Sequence, residues 1–101
     1  MVADCARMAV ELKVNRFQGV PAMISDYECA YACSWAAKRL GMQVEPDTEL
    51  GQLKEIVLSQ EEQLAGGDET DQSLLALIKP YHIQGTSGEG ISELIRVGME
   101  A

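Results

Sequence analysis

Cys29 and Cys33 stand four residues apart in the alanine-rich stretch Asp26 to Gly41, and they are the side chains in this sequence best suited to chemistry. If the stretch is a helix, Cys29 falls in or near its first turn. Free backbone N–H groups and the helix macrodipole stabilise negative charge there, so a thiol in that place ionises more readily. A thiolate at the head of an apolar helix is the arrangement a cysteine nucleophile needs. The sole histidine, His82, is the candidate base, 53 residues beyond Cys29. A base must come within about 3 Å of the proton it takes, and nothing in the chain order brings His82 there. A histidine next to Tyr81 in a loop equally reads as a solvated residue.

The cysteines also have a plain structural reading, as small apolar residues in a tight helix contact among Ala30, Ala32, Ala36 and Ala37. A disulfide within one regular helix is geometrically awkward, so both read as thiols. Reduced thiols point to synthesis in the cytoplasm. Cys5, inside a first helix, reads as structural. Zinc needs about four ligands at short spacing, and Cys5, Cys29, Cys33 and His82 are widely scattered. No metal site and no cofactor-binding motif is expected. Gly85-Thr86-Ser87-Gly88-Glu89-Gly90 lacks the Gly-Lys-Ser/Thr ending of a phosphate loop.

The elements that must position these residues are mainly helical. Val2 to Val14 reads as a first helix, with Val2, Ala6, Ala9, Val10 and Lys13 at helical spacing and Met8 and Leu12 widening the apolar stripe. Phe17 to Ile24 reads as extended, because Gly19 breaks helix and Pro21 restricts Val20. Ser25 or Asp26 suits the N-cap of the second helix, Tyr27 to Leu40, with Lys38-Arg39 in its last turn and Gly41 as its stop. Trp35 on this helix is expected to be the central core aromatic. A third helix is expected from a cap at Asp47 or Thr48 to about Leu64, stopped by Gly66-Gly67. A fourth runs from Thr70 or Asp71 to about Lys79, where Pro80 ends it. Tyr81 to Gln84 reads as one short extended piece, Gly85 to Gly88 as a turn, and about Gly90 to Val97 as the last helix. The fold class is therefore mainly α, about five short helices with at most two short extended segments, in a single domain over 1–101.

The stretch Val20 to Gly41 is similar to the start of the bacteriocin-processing leader peptidases, a papain-like family. In that family an extended Val-Pro-type segment leads into an acidic-Cys motif, an apolar helix ending in Gly, and a short Val-containing connection. The leucine-rich helices around Leu50 to Leu58 and Leu74 to Ile78 are similar in kind to its helical half, so the resemblance covers roughly residues 20 to 98. It implies the helical lobe of a papain-like cysteine peptidase, with Cys29 as nucleophile or its remnant. The chain departs from the pattern at defined places. Met23 stands where the family has a Gln that supplies an oxyanion-hole donor, Ala30 stands where a Gly usually follows the cysteine, and the family's catalytic His belongs to a β-rich half beyond the helices. The resemblance thus implies a degenerate or incomplete peptidase-like domain that binds peptides or forms one lobe of an enzyme.

Composition sets the rival reading. The chain has 101 residues, 47% of them hydrophobic, but only 5% aromatic, a palette suited to helices packed on helices. A net charge of −8 with thinly spread Lys and Arg disfavours nucleic acid and anionic membrane as partners. No stretch approaches the roughly 18 apolar residues of a membrane span, and Met1 to Cys5 does not begin a secretory signal, so a cytoplasmic protein without membrane insertion is expected. An alanine-rich helix tolerates close approach by another chain. A non-enzymatic helical interaction domain, or a structural subunit of a multi-chain assembly with a peptide or protein partner, is the alternative.

Overall fold

The fold is built round one central helix whose residues are mostly small and buried. The computed structural model describes residues 2–15 and 22–101. Among them are six helices: α1 (Val2–Asn15), α2 (Asp26–Arg39), α3 (Leu50–Leu58), α4 (Glu61–Ala65), α5 (Glu69–Ile78) and α6 (Glu89–Glu100). No β-strand occurs among the described residues. The expected extended piece at 17–24 falls mostly outside them; residues 22–24 carry no regular structure.

Ten of the fourteen residues of α2 are buried. A helix buried on nearly every face must be surrounded, and α1, α3, α5 and α6 all pack on it, α6 most extensively. Small side chains make the α2–α6 approach close. A methyl group on Gly98 would fall 1.7 Å from Ser34 Oγ, and one on Gly90 would fall 2.7 Å from the Tyr27 ring. Ser34 satisfies its buried hydroxyl against the carbonyls of Ala30 at 2.8 Å, Tyr31 at 3.0 Å and Leu94 at 3.3 Å. Leu53, Val57, Leu64, Leu74, Leu77, Ile78, Leu94 and Ile95 are among the fully buried residues of the core.

Several expectations are corrected. The single helix expected from Asp47 or Thr48 to Leu64 is two, parted at Ser59 and Gln60. The Ser59 hydroxyl donates to Ile56 O at 2.5 Å, and Gln60 leaves helical geometry at φ −113°, ψ 24°. Serine competing for the carbonyls of its own turn weakens the helix there. The start also moves, since Asp47 and Thr48 lie in a turn closed by Thr48 N–H to Glu45 O. Asp68 caps α5 by accepting the Asp71 amide, ahead of the expected Thr70 or Asp71. The helix expected at Gly90 to Val97 runs on to Glu100. Tyr31 is the buried aromatic of α2, whereas Trp35 is only half-buried at the edge of the core. Cys5 is exposed.

Candidate functional site

Among the described residues, the head of α2 gathers the densest set of side-chain hydrogen bonds. Ser25 is the N-cap, its Oγ accepting the Glu28 amide at 3.3 Å. Glu28 turns back one residue further than in a capping box and accepts the Ile24 amide at 3.0 Å. Its carboxylate is buried and pairs with Lys13 of α1 at 2.7 Å. Beside it, Asp26 is buried at the first helical position. One carboxylate oxygen accepts the Tyr81 hydroxyl at 2.7 Å and the Gln84 amide at 2.9 Å. The other accepts the amides of Gly85 at 2.9 Å and Thr86 at 2.7 Å. Burial pushes the Asp26 pKa up, but the bonds from Gln84, Tyr81, Thr86 and Gly85 outweigh it and leave the carboxyl below its ordinary value. Tyr81, desolvated and donating to this carboxylate, is held well above the usual phenol range. Lys54 fixes the same strand of chain by donating to the Tyr81 carbonyl.

Cys29 lies behind this latch at the fourth position of α2, and its amide is already bonded to Ser25 O at 3.2 Å. Its side chain and that of Cys33 are both 0% exposed, with 3.7 Å between their sulfurs. The contact with Cys29, together with burial, pushes the Cys33 thiol well up, which keeps it protonated. Tyr81 is buried, whereas His82 beside it is exposed. No hydrogen bond joins His82 to either thiol among the described residues. The structure therefore brings Cys29 and Cys33 together and leaves His82 apart from them. Met23, at the place of an oxyanion-hole donor, is buried.

One family matches the sequence along residues 1–101. The chain belongs to the DUF3837 family, a domain of unknown function. No curated protein and no solved structure matches the DUF3837 chain.

Two surfaces of the DUF3837 chain differ from what its sequence pattern led one to expect, and the first is built on Met8 and Leu12, which were expected to widen the apolar stripe of α1 but lie outside it. Ala6, Val10 and Val14 turn α1 towards the core, while Met8 and Leu12, one turn apart, are 62% and 53% exposed. Cys5 and Ala9 continue this outer apolar face into a groove of about 510 Å³ walled by Ile24, itself 78% exposed, and Tyr27. The second surface is a cleft of about 420 Å³ between α1, α2 and α6, bounded by Arg7, Glu11, Tyr31, Trp35, Val97 and Glu100. The helical-wheel offset of Met8 and Leu12 from Ala6, Val10 and Val14 was the available signal for the first. Nothing in the linear sequence joins Glu11 to Trp35 and Glu100. No helix among the described residues is long and apolar enough to cross a membrane.

Proposed function

We propose that this domain is a non-enzymatic interaction module that docks an apolar helical segment of another protein on the outer face of α1. The observation that carries this reading is the exposure of Met8 and Leu12 one turn apart, on a helix whose opposite face already fills the core. Two turns of apolar helix beside a groove suit the i, i+3, i+4 anchors of an amphipathic partner helix. Exposed apolar surface of this kind has a cost in solubility that a docking role accounts for. The peptidase-like reading keeps one support, the place of Cys29 near the head of a well-capped helix. Against it stands the burial of that thiol, since a nucleophile has to meet its substrate.

The test has two arms. Native labelling with a thiol reagent at neutral pH should modify Cys5 alone, with Cys29 and Cys33 reacting only after unfolding; rapid native modification of Cys29 would restore the peptidase-like reading. A photoreactive residue at position 8 or 12, in cells of the natural source, should give a discrete protein adduct that the same probe at position 55 on α3 does not give. No adduct at either position overturns the docking role.

A further inference from the structure

We infer that the cleft between α1, α2 and α6 is a binding site for a weakly hydrated organic cation, either a guanidinium or a quaternary ammonium group. This inference does not rest on the docking role of the outer face of α1. The cleft holds about 420 Å³, within the roughly 300–1,000 Å³ of small-molecule pockets. Its aromatic wall is Trp35, half-buried, with Tyr31 packed against it at a ring-centroid distance of 5.7 Å and a tilt of 48°. Tryptophan, which lines this cleft, is the strongest of the aromatic partners for a cation.

The rim carries two carboxylates, Glu11 and Glu100, against one cation, Arg7. Glu11 is fixed in place by the Tyr31 hydroxyl, which donates to its Oε1 at 3.1 Å. Burial and this neighbouring carboxylate push the Tyr31 phenol up to about 12, so the hydroxyl stays a donor and adds no charge of its own. Glu100 lines the cleft from α6. Both carboxylates already have cationic neighbours, Arg7 at 3.7 Å from Glu11 and Arg96 at 3.2 Å from Glu100, but these are solvent-exposed pairs that bind weakly and exchange readily. The net charge of −8 raises the local concentration of any cation at this surface. A delocalised cation suits the cleft better than a hydrated metal ion, because it meets an aromatic face as well as carboxylates.

Trp35 is the single tryptophan of the chain, so its fluorescence reports on this cleft alone. The intact protein is titrated with acetyl-arginine amide and, separately, with choline. Each is paired with its neutral counterpart, acetyl-citrulline amide and 3,3-dimethylbutanol. A saturable change with either cation and none with its neutral counterpart supports the site, and the arm that responds identifies a side-chain or a free quaternary source. Glu100→Gln, at the exposed end of α6, should weaken that response by roughly two- to fivefold with an unchanged circular dichroism spectrum. Absence of saturation with both cations overturns the inference. Equal responses to a cation and its neutral counterpart, or an unchanged response in Glu100→Gln, also overturn it.

Discussion

The carboxylate of Asp26 accepts the Tyr81 hydroxyl at 2.7 Å across 55 residues of sequence. Three backbone amides from residues 84–86 share the same carboxylate, so one side chain ties the chain between α5 and α6 to the head of α2. Replacing it by asparagine keeps the shape but removes the charge and sets an NH2 group against N–H donors. Hydrogen bonds to a charged group each contribute about 1.5–3 kcal/mol. Asp26→Asn should therefore lose about 2–3 kcal/mol in urea unfolding, and residues 81–86 should lose hydrogen-exchange protection before the helices do. A variant as stable as the parent would show that the latch holds nothing.

Helix identity was largely legible in the sequence, but this latch was not. Ser25 and Asp26 both suit a helix cap, and chain order shows only that one of them serves. Ser25 does so, freeing Asp26 to reach a segment that no local signal connects to it. The break at Ser59 was hidden for a similar reason. Leu53, Val57 and Leu64 keep a helical register across it, and apolar periodicity outweighed one serine. Trp35 was expected to be the central core aromatic. Close α2–α6 packing instead favours small residues, and the core takes Tyr31 while Trp35 is left at the rim. For Cys29 the sequence left two readings open, an exposed nucleophile and a small residue in a tight contact among alanines, and the structure buries it.

The latch also fixes the sign of one pH dependence. The folded-state pKa of Asp26 lies below its ordinary value of 3.8. As pH falls, the unfolded chain takes up this proton first, so the stability that Asp26 contributes is complete above about pH 5 and is lost as pH drops through the folded value. The stability gap between the parent and Asp26→Asn, measured by urea unfolding, should be widest near neutrality and narrow steadily below pH 4. A gap that grows on acidification would contradict the assigned direction.

Among the described residues, Lys13 and Glu28 form the ion pair most withdrawn from solvent, with side chains 11% and 4% exposed. Removing one partner of such a pair strands the other charge, at a cost of about 3–5 kcal/mol. Lys13→Ala should fall in that range on thermal or chemical unfolding. Arg96→Ala, which removes the exposed contacts to Glu93 and Glu100, should change stability by less than about 1 kcal/mol. Equal effects of the two variants would mean that the Lys13–Glu28 pair is as hydrated as a surface pair.

Gly98 tests how far the close packing of α6 on α2 governs the fold. A methyl group there would meet Ser34 Oγ at 1.7 Å, and also Ser34 Cβ and the Tyr31 carbonyl at 2.8 Å. The hydroxyl cannot swing clear without giving up its bonds to buried carbonyls, and the Tyr31 oxygen belongs to the backbone of α2. Gly98→Ala should therefore destabilise by about 2–3 kcal/mol, the scale of an overpacked core, even though alanine favours helix over glycine by about 1 kcal/mol. Ser34→Ala removes the nearest clash but leaves the other two. The double variant should then be more stable than the sum of the single effects allows, while staying below the parent. Strict additivity in a double-mutant cycle would place the strain of the Gly98→Ala methyl somewhere other than against Ser34.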